Sequence, residues 1–126
     1  MQNENNMEWN PPKILNKDLI MDSYRKSRGG NAEMITIYCA ECNSPVLYYQ
    51  KDGKGALFRC YIDRIIYPYQ YNNLLIYGNS LNKIPQLKCI NCNNAIGTPM
   101  IYKKEKRIAF GLFKNRFYKR KSSKIK

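Results

Sequence analysis

The chain has 126 residues, which is enough for one compact domain and too few for two domains of ordinary size. Hydrophobic residues make up 44% and aromatic residues 13%, and this composition excludes a wholly disordered chain. The mean hydropathy of -0.62 and the lack of an apolar run of about twenty residues exclude a transmembrane helix. The first residues also lack the basic and apolar regions of a secretory signal peptide. These features predict a cytoplasmic protein with no membrane partner.

Basic charge is concentrated at the C-terminal end. The chain has 22 Lys and Arg residues against 9 Asp and Glu residues, and its formal net charge is +13. Eleven of the basic residues fall within 103–126, where Glu105 is the only acidic residue. Such a segment attracts phosphate backbones or anionic surfaces. Asn, Ile, Lys and Tyr are abundant and have A/T-rich codons, so coding bias is a second interpretation of part of the excess.

The N-terminal region predicts a leader followed by a short helix. Residues 1–12 are rich in Asn and end in Pro11–Pro12, a pattern typical of a disordered or extended segment. Residues 13–28 carry a partial apolar stripe, with Asn16 as the N-cap and Gly29–Gly30 as the stop signal.

From Met34 onward, short runs rich in β-branched and aromatic residues alternate with Gly, Pro, Asn and Asp. The runs are 34–38, 46–50, 56–67, 74–77, 84–88, 95–102 and 107–113. They predict a mainly β fold, a small antiparallel β domain. The predicted parts are a leader with a short helix at 1–33, the β domain at 34–113, and a basic tail at 114–126.

One turn signal predicts a β-hairpin. Val46–Gln50 and Ala56–Ile62 flank residues 51–55, where Asp-Gly and a second Gly supply positive-φ positions. The same glycines have a second interpretation as a phosphate-binding nest. The Walker pattern is absent, because Lys54 is followed by Gly55 rather than by Ser or Thr.

Four cysteines carry the strongest chemical signal. They form two CxxC pairs, Cys39 with Cys42 and Cys89 with Cys92. Four thiolates in this spacing are the ligand set of a tetrahedral structural Zn²⁺ site, with Zn–S distances of about 2.3 Å. Two residues between ligands let both sulfurs of a pair face one metal ion while backbone N–H groups bond the thiolates. The pattern predicts one structural zinc ion as cofactor.

The two CxxC pairs are local copies of each other. Each is followed by Asn43 or Asn93, a small polar turn, and then Val46 or Ile96 at the start of a strand. Asn suits the left-handed backbone position that ends such a knuckle. A disulfide framework, an iron–sulfur cluster and a redox CxxC pair are weaker alternatives. The expected cytoplasmic location disfavours disulfides, and both pairs lead into β-type sequence rather than a helix.

The remaining reactive groups do not predict an enzyme. The chain has no His, and a Cys₄ set leaves the metal no open position for a substrate water. Cys60 alternates with Phe58 and Ile62 and is therefore expected in the core. Asp63 beside Arg64 suggests a buried ion pair. We expect no catalytic residues and no small-molecule substrate.

The order of knuckle, strands, knuckle and strand over residues 34–113 resembles the β-tent group of zinc modules. This group includes the yippee proteins, the cereblon ligand-binding domain and the zinc-bearing half of methionine sulfoxide reductase B. The resemblance implies the fold and the zinc site. The reductase Arg-x-Cys-x-Asn segment is replaced by Gly97–Met100, and the only Trp is Trp9, so the activities of those families are not implied. A two-knuckle zinc ribbon is the competing architecture.

The C-terminal segment is the candidate nucleic-acid-binding element. Residues 107–113 alternate as a strand with Ile108, Phe110 and Leu112 inward, and cations then interleave with two aromatic residues. Aromatic faces stack on bases while Arg and Lys neutralise phosphates. The candidate residues are Arg107, Lys114, Arg116, Phe117, Tyr118, Lys119, Arg120 and Lys121. We expect binding to RNA or a ribonucleoprotein. The alternative is a protein–protein interaction module that presents an apolar or Tyr-rich surface to a partner protein, with the basic tail incidental.

Overall fold

The protein is mainly β and is described by a computed structural model over residues 8–78 and 80–121. One α-helix, α1, spans Ser23–Ser27. The strands are β1 (Ala32–Cys39), β2 (Pro45–Asp52), β3 (Arg59–Tyr61), β4 (Ile65–Tyr67), β5 (Leu87–Lys88), β6 (Ala95–Tyr102), β7 (Arg107–Leu112) and β8 (Phe117–Lys121). They form two four-stranded antiparallel sheets, one with the order β4-β2-β1-β8 and the other with the order β3-β7-β6-β5.

The main core lies between the two sheets. Alternate residues of β1, Ile35 and Ile37, are fully buried, and Phe110 of β7 is fully buried in the same cluster. Full burial of each such side chain contributes about 1.5–3 kcal/mol. Ile108 and Leu112 pack against this core, so the inward face predicted for residues 107–113 is confirmed.

A second cluster covers the outer face of the first sheet. Met34, Tyr48 and Tyr67 are buried there beneath the N-terminal segment, to which Trp9 belongs. The Trp9 and Tyr67 rings meet edge to face with their centroids 5.0 Å apart. Residues 1–7 of the predicted leader lie outside the described residues. From Trp9 onward the segment packs on the sheet.

The helix predicted over residues 13–28 is shorter than expected, and its cap is a different residue. A 3₁₀ turn spans Asn16–Asp18, and α1 begins only after Asp22, whose carboxylate accepts a hydrogen bond from the Arg25 N–H. The Gln50 side chain bonds both backbone groups of Ile20, at 2.8 and 2.9 Å, and holds the chain extended between the two turns. Gly29 and Gly30 end α1 as predicted, with φ of 95° and 85°.

The hairpin predicted between residues 46–50 and 56–62 is wrong. β2 pairs with β1 and β4, whereas β3 pairs with β7 of the other sheet. Gly53 makes the expected turn with φ of 83°, but its N–H donates to the Asn31 carbonyl at 2.8 Å and the chain then crosses between sheets. The two apolar runs bury their faces by packing face to face rather than by pairing edge to edge. Phe58 precedes β3 and is 69% exposed, so only Cys60 and Ile62 share the buried face.

Two further segments differ from expectation. Residues 74–77 belong to a 3₁₀ helix at Tyr69–Tyr77 instead of a strand. The Asn72 side chain donates to the Ile65 carbonyl at 3.1 Å, a local bond that competes with strand pairing. In the segment predicted as a basic tail, Phe117–Lys121 forms β8, which pairs with β1, and Phe117 packs against the core. Residues 122–126 lie outside the described residues.

The ion pair suggested for Asp63 and Arg64 does not form, because each residue has its own partner. Arg64 is buried and binds Asp22 at 2.7 Å and Asp52 at 2.9 Å. Asp63 binds Arg107 at 2.7 Å. Both residues lie in a 3₁₀ turn at Ile62–Arg64. Successive side chains of such a turn point about 120° apart, so adjacent residues reach different partners.

Candidate metal centre and the adjoining basic face

Each CxxC knuckle is the turn of a β-hairpin, one in each sheet. In the first knuckle, the N–H of Cys39 donates to the carbonyl of Ser44 at 2.9 Å. In the second knuckle, the N–H of Cys89 donates to the carbonyl of Asn94, also at 2.9 Å. Asn43 and Asn93 have φ of 64° and 67°. Both therefore occupy the left-handed position expected for them, and the two knuckles are structural copies.

The four sulfurs of the knuckles form one cluster. Their Sγ atoms all lie within 4.8 Å of one another. Cys39 and Cys92 are 3.5 Å apart, and Cys42 and Cys89 are 3.6 Å apart, so each short contact joins one knuckle to the other. The cluster could hold one metal ion, which would tie the two sheets together at this end.

Polar groups around Cys39 suit a negatively charged sulfur. The backbone N–H of Glu41 and the side-chain amide of Asn94 each donate to its Sγ at 3.4 Å. Burial opposes the thiolate, but hydrogen bonds from the Cys42 backbone and from Asn94 outweigh it, so the pKa of Cys39 is lowered. Such donors stabilise thiolate ligands and fix their orientation.

The half-buried Cys42 and the buried Cys89 have contrasting environments. Hydrogen bonds from Asn91 and Ser44 lower the pKa of Cys42 to about 6, and the Ser44 hydroxyl oxygen is 3.2 Å from its Sγ. Burial raises the pKa of Cys89 to about 12. A metal ion held by all four sulfurs would have to supply the free energy that deprotonates Cys89.

Cys60 lies apart from this cluster. It is fully buried in the core between the sheets, which confirms the position expected from its alternation. Burial also raises the pKa of its thiol, which keeps it protonated and unreactive.

The candidate nucleic-acid-binding residues fall into two groups. Five cations are exposed on β8 or on the turn that leads into it: Lys114, Arg116, Lys119, Arg120 and Lys121. The two aromatic residues point to opposite sides of β8, with Phe117 against the core and Tyr118 on the outer face. Both residues are half-buried, and of the two rings Tyr118 is the one on the outer face.

Tyr118 stacks on Tyr38, which sequence reasoning missed. The residues are directly opposite in the β1–β8 pair, and their rings are nearly parallel, 10° apart with centroids separated by 5.3 Å. The Tyr118 hydroxyl donates to the Asn43 side chain at 2.9 Å, and the Arg120 guanidinium lies 5.4 Å from its ring centroid. The pairing of β8 with β1 is the signal that identifies Tyr38, because it places Tyr38 opposite Tyr118.

Arg107, in contrast, is not part of this face. Its side chain lies 4.0 Å from the Tyr24 ring centroid and 3.8 Å from the Tyr61 ring centroid, and the residue is 5% exposed. Its guanidinium binds Asp63 at 2.7 Å and Glu105 at 3.1 Å. A buried guanidinium with two carboxylate partners cannot contact phosphate, so the inclusion of Arg107 in the predicted interface is wrong.

The turn before β8 is tied to both knuckles. The carbonyl of Arg116 accepts a hydrogen bond from the Ala40 N–H at 3.0 Å and one from the Asn94 side chain at 3.3 Å. The Arg116 guanidinium in turn donates a hydrogen bond to the Asn94 side-chain oxygen at 3.1 Å. The cysteine cluster therefore adjoins the turn that leads into β8, and both knuckles hold that turn by hydrogen bonds.

Comparisons with protein-family models, with curated proteins and with solved structures found no match. Among the described residues, every helix is too short or too polar to cross a membrane.

Proposed function

We propose that this is a small structural-zinc protein that binds RNA or a ribonucleoprotein through its basic C-terminal face. The donor set supports zinc, because tetrahedral thiolate coordination at about 2.3 Å places neighbouring sulfurs about 3.8 Å apart. The short inter-knuckle distances of 3.5 and 3.6 Å are close to this value. Four protein ligands would leave no position for a substrate water, so the zinc role in this proposal is structural rather than catalytic.

The arrangement of the sheets supports the resemblance to β-tent zinc modules. Two antiparallel sheets each carry one knuckle on a hairpin, and the four sulfurs meet where the sheets come together. In a zinc ribbon the knuckles usually lie closer in sequence, so the β-tent arrangement is the better description. The proposal extends to the fold alone and not to the activities of those families.

The stacked pair of Tyr38 and Tyr118 is the observation that supports RNA binding most directly. The pair joins the edge strand β8 to its neighbour β1, and both residues are half-buried. The exposed cation Arg120 lies beside it, with its guanidinium 5.4 Å from the Tyr118 ring centroid. Base stacking on an aromatic side chain contributes about 1–3 kcal/mol, and neighbouring cations add phosphate contacts. A flat aromatic platform with cations at its border suits single-stranded RNA better than a duplex.

Fluorescence anisotropy with a labelled single-stranded RNA tests this proposal. Replacing Tyr118 with Leu should weaken binding about tenfold, because the flat ring is lost, while Tyr118→Phe should bind nearly as well as the wild type. Arg120→Gln should weaken binding and flatten its salt dependence. Lys83→Gln removes an equal charge from a 3₁₀ turn outside this face and is the matched control. Equal affinities for the wild type, Tyr118→Leu and Arg120→Gln would reject the proposal.

A protein–protein interaction module is the second candidate function. It is favoured by exposed apolar side chains on the 3₁₀ helix Tyr69–Tyr77, where Ile76 is 79% and Leu75 is 43% exposed. The 260/280 nm absorbance ratio of the purified protein, before and after a high-salt wash, separates the two functions. A ratio that starts high and falls on washing indicates bound nucleic acid. A ratio typical of protein at both stages favours the interaction module.

A further inference from the structure

A second basic site lies at the far end of β2 from the metal cluster. A cavity of about 300 Å³ opens between the turn that follows β2 and the start of β3. Its walls include Arg28, Lys51, Lys54, Phe58 and Arg59. β2 has eight residues, so this cavity is about 25 Å from the knuckle at the other end of the strand. None of its lining residues belongs to the Tyr38–Tyr118 face.

Lys51 is the unusual member of this wall. The residue is only 5% exposed, and its ammonium donates one hydrogen bond, to the Gly53 carbonyl at 2.9 Å. It forms no salt bridge with any residue in the described parts of the chain. Burial lowers its pKa and the positive charge of Lys119 lowers it further, while the negative charges of Glu33 and Asp52 act in the opposite direction. A buried cation with no carboxylate at salt-bridge distance is costly, and an anion in the cavity would offset part of that cost.

Two more cations on the wall are free for a ligand. Lys54 is exposed at the turn, and neither Lys54 nor Arg59 is ion-paired within the described residues. The Nε of Arg59 donates to the Tyr61 hydroxyl at 3.1 Å, and its guanidinium lies 4.1 Å from the Tyr102 ring centroid. These contacts hold the side chain and leave its terminal nitrogens for an oxyanion.

The remaining charges of the wall are already balanced. The Asp52 carboxylate is bound by Arg64 at 2.9 Å, and Arg28 pairs with Glu105 at 2.9 Å. The single acidic group of the wall is therefore shared with Arg64 and offsets the charge of Lys51 only in part. Among the described residues, three cations of the wall form no salt bridge: Lys51, Lys54 and Arg59.

The turn itself adds donors and an apolar rim. The N–H groups of Lys54, Gly55 and Ala56 take no part in the backbone hydrogen bonds of the described chain. Gly53 has φ of 83°, and a Cβ there would come within 3.1 Å of the Arg28 side chain. Phe58 stands at the rim with 69% of its surface exposed, beside the half-buried Leu57. Phosphate groups bind to such combinations of free N–H groups and cations.

We propose that this cavity binds a phosphomonoester, carried either by a free mononucleotide or by the end of a nucleic-acid strand. The dianion would sit between Lys51, Lys54 and Arg59, and the exposed ring of Phe58 would contact the base. The volume is at the lower limit of small-molecule sites, which suits one nucleotide. This inference does not depend on the RNA-binding face, and it adds a ligand where the sequence led us to expect no small-molecule substrate.

Titrations followed by amide NMR, with adenosine monophosphate, inorganic phosphate and adenosine as probes, test the inference. The monophosphate should bind and shift the Gly53 and Gly55 amides, while adenosine should not bind. Lys51→Met should weaken monophosphate binding at least tenfold, with folding checked by the NMR spectrum. Lys54→Gln, at an exposed position that cannot disturb the core, should weaken it about threefold. Lys83→Gln, outside the cavity, is the control and should bind as the wild type does.

A second arm identifies the source of the phosphate. A 5′-phosphorylated oligonucleotide that competes with the monophosphate, when its 5′-hydroxyl counterpart does not, indicates a strand end. If neither oligonucleotide competes with the monophosphate, the ligand is a free nucleotide. The Tyr118→Leu variant should retain monophosphate binding. A failure of the RNA-binding proposal can therefore be distinguished from a failure of the monophosphate site. Adenosine binding as tightly as the monophosphate, no binding of the monophosphate or phosphate, or wild-type affinity in both Lys51→Met and Lys54→Gln would overturn the inference.

Discussion

Asn43 and Asn93 show how single residues shape the metal centre. Both have positive φ immediately after the second cysteine of a knuckle, where the chain must turn back toward its hairpin partner. Asn tolerates this left-handed conformation better than most residues, whereas Ala pays a steric cost at Cβ. A few neighbouring residues therefore determine the backbone conformation of each knuckle.

Asn93 allows a direct test of this conformational effect, because its side chain is exposed. Asn93→Ala should lower the free energy of unfolding by about 1 kcal/mol, since Ala is strained at φ of 67°. Asn93→Gly should be nearly neutral, because Gly adopts positive φ freely. Urea denaturation of the zinc-loaded proteins measures both changes. Equal destabilisation by Ala and Gly would show that the Asn side chain matters rather than the backbone conformation.

The cysteine cluster and its turns could be predicted because CxxC spacing and the following Asn are local signals. The burial of Arg107 could not be predicted from local signals. Its burial depends on Asp63, which is 44 residues away in sequence, and on the rings of Tyr24 and Tyr61. A cation within a basic segment carries no local sign that a distant carboxylate binds it.

β8 illustrates the same limit at the scale of an element. Its cations Lys119, Arg120 and Lys121 give it the composition of a solvated tail, while its pairing depends on β1 far upstream. The runs at 95–102 and 107–113 could be predicted as strands, because their apolar residues are themselves the signal of a buried strand face. The segment 74–77 is equally apolar and became helical, because Asn72 ties the chain locally to Ile65.

The two aromatic residues of β8 should have separable effects. Phe117→Ala removes a ring that packs against the core and should lower the free energy of unfolding by about 2–3 kcal/mol. Tyr118→Ala removes a ring on the outer face and should lower stability by about 1 kcal/mol or less, while weakening RNA binding more strongly. Chemical denaturation and anisotropy on the same samples measure both quantities. If Tyr118→Ala were the more destabilising change, the orientation of β8 would be reversed.

At the scale of the whole molecule, buried arginines fasten the N-terminal segment to the sheets. Arg64 is 2% exposed and joins Asp22, at the start of α1, to Asp52, at the end of β2. Its hydrogen bond lowers the pKa of Asp22 to about 2. The partition of the strands into two sheets was not predictable, because the turn at Gly53 looks locally like a hairpin and only packing between distant faces excludes it.

The depressed pKa of Asp22 predicts an acid-dependent loss of stability. A carboxyl group whose folded-state pKa lies below its unfolded value stabilises the protein at higher pH, and this contribution is lost as the pH falls from about 4 towards 2. Metal release also occurs in acid, so the useful quantity is the difference between the wild type and Asp22→Asn. That difference in urea midpoint should shrink over this range. A difference that stays constant between pH 6 and pH 2 would contradict the ion pair.

Metal content tests most directly whether the two knuckles hold one ion that joins the sheets. Purified, reduced protein should contain about one zinc per chain, and a strong chelator should unfold it, because binding free energy is folding free energy at such sites. Cys60→Ala should keep its zinc, and Cys92→Ser should lose it, although Cys92 is exposed and its substitution disturbs no core packing. A folded, reduced wild-type protein that contains no metal and melts at the same temperature with and without chelator would contradict the metal centre.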